Sequence, residues 1–258
     1  MGVVPIVDPE TIEAIRDRDI LIPPWGEDLL ERLDMVGPAE TGWDTIVTAG
    51  MYARSHYADP NPPFATLCDE LLQKLPVPPT RVLDLGCSAG RMGIEVAMRT
   101  GASLTGVDLE PLPLRWAARA ANTNPIDIPV LRNAKQFELQ RVGSPTEQVL
   151  EAQWICANVY NLPLEAKQFD LICAINLLDS VPHPKALLAV MADMLSPGGA
   201  IIVAQPATWS AALTPPERWL LEEAEWENAF RRHGLRSHSY SKPIEWILRR
   251  TPTQWYGY

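Results

Sequence analysis

Arg81-Val82-Leu83-Asp84-Leu85-Gly86-Cys87-Ser88-Ala89-Gly90-Arg91 is a short apolar run opening into a turn bounded by two glycines. Residues 81–85 read as a buried strand, Gly86 to Gly90 as a turn, and residues 92–100 as the start of a helix. A second strand is expected over 102–108 and a helix over 113–121. Strand, glycine turn, helix, strand is how a doubly wound parallel sheet begins, and such sheets bind ligands beyond the carboxyl ends of their strands. The turn therefore marks a candidate site as well as the fold.

Ahead of this stretch, residues 1–78 read as an N-terminal helical lid or extension, broken at Pro23-Pro24 and again from Pro60 to Pro63. Ile46, Val47, Met51 and Tyr52 fall at roughly helical spacing within 43–57, which suits a helix lying on a larger body. Pro76, Pro78 and Pro79 close the segment, and residues 79–258 form the α/β domain. Within it, 122–151, with Pro125, Pro129 and Pro145, reads as an extended, irregular insertion before a third strand at 153–158. Strands are expected at 169–176 and 200–205 around a helix at 184–195, with Ser196-Pro197-Gly198-Gly199 supplying the helix stop and a tight turn. A last helix at 217–233 and closing strands at 235–242 and 253–258 complete a mostly parallel seven-stranded sheet with helices on both faces.

Twenty-two Lys and Arg against 32 Asp and Glu give a formal charge of -10. An acidic surface repels phosphate, so neither nucleic acid nor an anionic membrane is expected as a partner. With 47% hydrophobic residues, 258 positions fill the core of one α/β domain plus an extension and exclude disorder over most of the length. Cys68, Cys87, Cys156 and Cys173 show no CxxC or Cys/His spacing, so free thiols in a reducing compartment and no metal are expected. No signal-like start and no apolar run near the ~20 residues of a bilayer span point to a cytoplasmic protein.

The turn is not a dinucleotide fingerprint, because Ser88 and Arg91 stand where GxGxxG needs glycine, and it lacks the GKS or GKT of a P-loop. Asp84-x-Gly86-x-Ser88-x-Gly90 instead resembles the first motif of class I S-adenosylmethionine-dependent methyltransferases. That resemblance implies a Rossmann-like fold, S-adenosylmethionine as cofactor and S-adenosylhomocysteine as product. Asp108 ends the second strand about 20 residues after Gly86, where a carboxylate accepts from both ribose hydroxyls. Cys156-Ala157-Asn158-Val159-Tyr160-Asn161-Leu162-Pro163 is similar to the stretch that contacts adenine, with Asn158 where aspartate is common. The resemblance thus assigns cofactor contacts to Asp84, Gly86, Cys87, Ser88, Gly90, Asp108, Leu109, Asn158, Val159 and Asn176. Phe169-Asp170 and Ser196 to Gly199 also resemble family segments and read as scaffold.

A narrower resemblance runs from about Trp43 to Trp255. Trp43-Asp44-Thr45, Tyr52, His56-Tyr57, the turn through Arg91, Asn176-Leu177-Leu178-Asp179, Pro206-Ala207-Thr208-Trp209 and Gln254-Trp255 look like the C-terminal methyltransferase domain of the ovothiol synthases. That domain methylates the imidazole ring of 5-thiohistidine. Ser180 and Ala207 depart from the family's Arg and Tyr. What the resemblance implies is a free-standing N-methyltransferase acting on thiohistidine or its selenium analogue, coupled to a separate sulfur- or selenium-inserting enzyme. Another small metabolite, a peptide acceptor and a non-catalytic cofactor-binding module remain as alternatives.

On the acceptor side, Asp179 either orients or deprotonates the imidazole, or binds its amino group, or caps the turn at Ser180-Val181-Pro182. Tyr52, His56 and Tyr57 are lid residues facing the substrate or ordinary helix packing, and Trp209 is a pocket wall or a buried anchor. Asn61-Pro62-Pro63-Phe64 matches the motif with which amide and adenine methyltransferases hold a planar amine, but it precedes the first strand and reads as a connector. His183 reads as an exposed turn residue, and Arg250 as a possible clamp for an acceptor carboxylate.

Overall fold

A computed structural model describes residues 46–58, 63–133, 136–237, 243–249 and 255–257. Most of the lead-in, Asn61-Pro62, Arg250 and Gln254 lie outside the described residues. Helices α1 (Ile46–Tyr57) and α2 (Pro63–Leu72) precede β1 (Arg81–Leu85), α3 (Arg91–Thr100), β2 (Ser103–Asp108) and α4 (Pro111–Ala121). Then come β3 (Ile126–Asn133), β4 (Gln136–Val142), β5 (Ala152–Cys156), β6 (Phe169–Ile175), α5 (Pro184–Met194), β7 (Leu195–Ala204), α6 (Glu223–Arg232), β8 (Ile247–Arg249) and β9 (Trp255–Gly257). Single 3-10 turns occupy Leu178–Ser180 and Pro216–Arg218.

The central sheet runs β5-β2-β1-β6-β7 with every pair parallel. Its order reverses between β1 and β6, the point at which such sheets open a crevice for ligands. Helices cover both faces, so the strands are apolar on both sides. Val82 joins the core on one face, with Leu104, Leu171 and Ile94, while Leu83 and Leu85 join the core on the other, with Val107, Ile172 and Leu187. Each such fully buried aliphatic side chain contributes about 1.5–3 kcal/mol. Asp170 is scaffold as expected: its Oδ2 accepts from the Thr80 and Arg81 N–H groups (3.0 and 3.1 Å), and its Oδ1 from the Ser196 hydroxyl (3.0 Å). It ties β1, β6 and β7 at the end away from the glycine turn.

Four sequence expectations change. Five strands form the central sheet among the described residues, and most of the strand expected at 235–242 lies outside them; β9, expected in that sheet, pairs antiparallel with β8 as a separate hairpin. Trp246 and Leu248 there are buried in the core that also holds Phe64 and Cys68 of α2, so the hairpin is held by side-chain packing rather than by the sheet edge. The 122–151 insertion is not irregular: β3 and β4 form an antiparallel hairpin. Ile126, Ile128 and Val130 alternate along β3 and bury against Ala49 and Ala53 of α1 and Trp116 of α4. Pro129 is tolerated because both strands of a two-stranded ribbon are edges. Residues 196–199 lie within β7 as a bulge between the Phe169–Leu195 and Leu171–Ala200 pairs. The last helix starts at Glu223, not residue 217, since Glu222 and Glu225 form a reciprocal capping box.

Trp154 of β5 wedges beneath the glycine turn. A Cβ on Gly106 of β2 would lie 2.3 Å from its ring, and one on Gly90 would lie 2.5 Å from the ring and 2.7 Å from Ala117. Gly106→Ala should therefore destabilise by about 1–3 kcal/mol through overpacking. Gly143→Ala, where a Cβ meets nothing within 4 Å, should stay within about 0.5 kcal/mol of the parent. Urea unfolding of both variants checks this, and equal midpoints would refute the wedge.

Candidate active site

Asp84 ends in a buried position at 1% exposure, its Oδ2 accepting the Gly93 N–H of α3 at 2.9 Å. A Cβ on Gly93 would approach that oxygen to 3.0 Å and Leu104 Cδ1 to 2.5 Å, so α3 docks this closely only with glycine there. One strand over, Asp108 Oδ2 accepts the Ser88 N–H (2.7 Å) and Oδ1 the Glu110 N–H (2.9 Å). Ser88 sits at φ 50 and Gly86 at φ 62, so the turn curls through the left-handed region between the two carboxylates. The Leu109 N–H acts on the same carboxylate, which retains acceptor capacity beyond these donors. Leu109, 37% exposed, presents an apolar surface next to it.

The other resembling positions gather at the same ends of the strands. Asn176 follows β6 at φ 54 and donates its N–H to the Ala204 carbonyl (2.7 Å). Asn158 is exposed and its Oδ1 accepts the Tyr160 N–H (3.0 Å), while Val159 packs into the core. Cys87 is buried, with its N–H donated to the Val107 carbonyl (3.0 Å). Gly90 turns its missing side chain toward Trp154 and Ala117, so packing and its φ of 77, rather than room for a ligand, require glycine there.

The lead-in divides. The Tyr57 hydroxyl donates to the Ala89 carbonyl inside the turn, and the Arg91 guanidinium lies 5.6 Å from the Tyr57 ring centroid. Arg91 Nη1 also donates to the His56 carbonyl (2.9 Å), and its guanidinium pairs with Glu95. Glu95 takes Arg99 as well, which reaches Asp69 of α2 at 2.7 Å. This ladder fastens α1 and α2 to the turn through α3. His56 itself is 3% exposed, its ring 4.5 Å from Phe64 and 6.1 Å from Trp246. Burial, with the Arg91 charge adding, lowers its pKa to about 3, so it is a neutral packing residue. Tyr52 packs edge-on to Trp246 at 5.9 Å. Tyr57 reaches the turn; Tyr52 and His56 belong to the aromatic cluster behind it.

Beyond β6, Asp179 is 3% exposed and reaches across to the loop after β7, where its Oδ2 accepts the Thr208 N–H at 3.1 Å. Burial foremost raises its pKa. Its Oδ1 has no hydrogen-bond partner, and neither do the buried Gln205 Oε1 and Trp209 Nε1. Trp209 stacks on Trp219 at 6.2 Å and 19°, which anchors its ring in the loop after β7. His183 is exposed as expected, with Nδ1 2.8 Å from Arg218 Nη1.

Arg91, Gly93 and Gln205 lie at the candidate site, and the sequence reading assigned none of them a contact there. The Arg91 and Glu95 spacing at i and i+4 carried a signal for the first. Gln205 lay at the end of an expected strand, but nothing in its neighbours marks its oxygen as unmatched.

Burial, and then the neighbouring Asp108 charge, raise the Asp84 pKa to about 7 against the Gly93 N–H, which lowers it. An unfolded aspartate titrates near 3.9, so between about pH 4 and about 7 the folded protein binds more protons and stability falls as pH rises. Asp108, also raised by burial, adds to the same slope. Asp84→Asn should flatten most of that fall in ligand-free protein, measured by urea unfolding across this range; an unchanged slope would contradict a buried, proton-holding Asp84.

The family described as "Methyltransferase domain" matches residues 57–251. The ubiquinone biosynthesis O-methyltransferase of Nitrosococcus oceani is 27% identical over 164 residues, 64% of this chain and 57% of that protein. The protein of the same name from Idiomarina loihiensis is 31% identical over 121 residues, 47% of this chain and 40% of that one. The chain thus spans about half the length of these relatives. Among solved structures, Haemonchus contortus phosphoethanolamine N-methyltransferase 2 bound to S-adenosyl-L-methionine superposes with a TM-score of 0.52 at 15% identity, covering 82% of this chain and 45% of that one. The same enzyme with phosphomonomethylethanolamine and S-adenosylhomocysteine gives 0.53 at 15% identity over 76% and 43%. A parallel sheet with its glycine turn set between two strand-end carboxylates, and a family match over most of the length, lead to one assignment: this chain belongs to the methyltransferase-domain family and uses S-adenosylmethionine.

Proposed function

We propose that the chain methylates an imidazole nitrogen of a small amino-acid-like acceptor, with 5-thiohistidine or its selenium analogue as the best fit. The observation that carries this reading is Asp179: buried, past the strand next to the glycine turn, with Oδ2 anchored on Thr208 and Oδ1 left to accept. Its place in Asn176-Leu177-Leu178-Asp179, the segment similar to that of the thiohistidine methyltransferases, supports the same acceptor.

S-adenosylmethionine, when bound, supplies a methyl group on a cationic sulfur. Asp108 would accept from the ribose diol, and the Gly86 to Gly90 turn lies between Asp108 and Asp84. Asp179 Oδ1 accepts the N–H of one imidazole nitrogen, which fixes the tautomer and leaves the lone pair on the other. With the methyl donor bound, that lone pair would form the new N–C bond while the C–S bond broke and its electron pair stayed on sulfur. The N–H proton then passes to Asp179, whose raised pKa suits it to receive one, and on to solvent. Alignment in a site closed to water supplies most of the rate.

The O-methyl names of the relatives belong to proteins that this chain covers by about half. A phenol acceptor would use Asp179 as a base instead of as a tautomer lock. A small peptide, another metabolite and a non-catalytic cofactor-binding module are the remaining alternatives. The role expected is that of a compact-acceptor enzyme in the cytoplasm, supplied by a separate sulfur- or selenium-inserting enzyme. Incubation with methyl-labelled S-adenosylmethionine and a panel of 5-thiohistidine, histidine, small peptides and a catechol, read by mass spectrometry, tests it. One labelled methyl on a ring nitrogen is expected; label on a catechol oxygen or on no acceptor would overturn the proposal.

A further inference from the structure

Asp179 Oδ1, Gln205 Oε1 and Trp209 Nε1 are buried polar atoms without hydrogen-bond partners, all beyond the carboxyl ends of β6 and β7. Two are acceptors and one is a donor. Unmatched atoms of this kind are rare in folded proteins, and several at one strand end suit a ligand that completes them. The backbone brings the two loops together. Asn176 N–H is donated to the Ala204 carbonyl (2.7 Å), directly ahead of Gln205, and Thr208 N–H to Asp179 Oδ2 (3.1 Å), directly ahead of Trp209. Thr214 pins the same loops by donating its hydroxyl to the Val181 carbonyl at 2.6 Å. Trp219 stacks on the Trp209 ring and donates its own Nε1–H to the Thr214 carbonyl (2.8 Å). The indole is therefore held in place while its N–H stays unmatched. Arg218, the cation on this loop, is already taken by the Pro182 carbonyl (3.0 Å) and His183 Nδ1 (2.8 Å).

Resting on the proposed acceptor class, we infer that Gln205 and Trp209 read the free α-amino acid head group of the acceptor, Gln205 Oε1 accepting from its ammonium and Trp209 Nε1–H donating to its carboxylate. A zwitterionic head carries no net charge, so a neutral acceptor and a neutral donor match it without the basic clamp that a lone carboxylate would call for. Asp179 is left for the ring. The pair selects free amino acids over peptides, in which the ammonium and the carboxylate are both amides.

Calorimetric titration of histidine, histamine, imidazolepropionate and N-acetylhistidine amide into the protein saturated with S-adenosylhomocysteine tests this without turnover. Histidine is expected to bind at least about tenfold more tightly than each of the other three. Gln205→Leu should weaken histidine and histamine about tenfold and leave imidazolepropionate unchanged, whereas Trp209→Phe should weaken histidine and imidazolepropionate and leave histamine unchanged. Retained S-adenosylhomocysteine binding shows that each variant is folded. Equal affinities across the four probes, equal losses for every probe in a variant, or no histidine binding at ~10 mM would overturn the inference. Failure of the parent protein to bind S-adenosylhomocysteine would instead bring down the methyltransferase reading itself.

Discussion

The contact between the Asp84 carboxylate and the Gly93 amide sets where everything else at the site falls. It joins the end of β1 to the first turn of α3 inside the core, so the intervening turn has little freedom left. Asp108 holds the middle of the same turn from the neighbouring strand through Ser88. Two carboxylates on adjacent strand ends are costly to bury together, and burial raises both of their pKa values. The Gly93 N–H on Asp84 and the Ser88 and Glu110 N–H groups on Asp108 offset part of that cost.

Around this fixed point the fold adds walls from segments far apart in sequence. Tyr57 of α1 reaches Ala89 in the turn, and the Arg91, Glu95, Arg99 and Asp69 ladder fastens both lead-in helices to α3. The β3–β4 hairpin packs its apolar face on α1 and α4. On the opposite side of the order reversal, the loops after β6 and β7 interlock through Thr208, Thr214 and Asn176. The glycine turn and the interlocked loops therefore belong to different strand pairs that share the β1–β6 seam.

The sheet, its glycine turn and both carboxylates were legible because short apolar runs and glycines at strand ends are local signals. Asp170 could be read as scaffold for the same reason. The hairpin was hidden by Pro125, Pro129 and Pro145, since proline argues against strands except at edges, and edge status is a tertiary fact. The strand at 253–258 was expected in the sheet but pairs with β8, which had not been expected, because a short strand does not specify its partner. His56 and Tyr57 look alike in sequence, yet one fills an aromatic cluster and the other holds the turn; the direction each faces depends on Trp246, nearly two hundred residues on. Unmatched atoms such as Gln205 Oε1 have no sequence signature at all.

The central claim is that the turn between Asp84 and Asp108 is the cofactor site. Equilibrium binding of S-adenosylhomocysteine to the parent protein and to Asp108→Ala, with thermal unfolding as the check on folding, tests it most directly. The parent should bind, and a folded Asp108→Ala should bind at least about tenfold more weakly because the ribose hydroxyls lose their acceptor. Equal affinity in the two proteins, or no binding by the parent, would contradict the account.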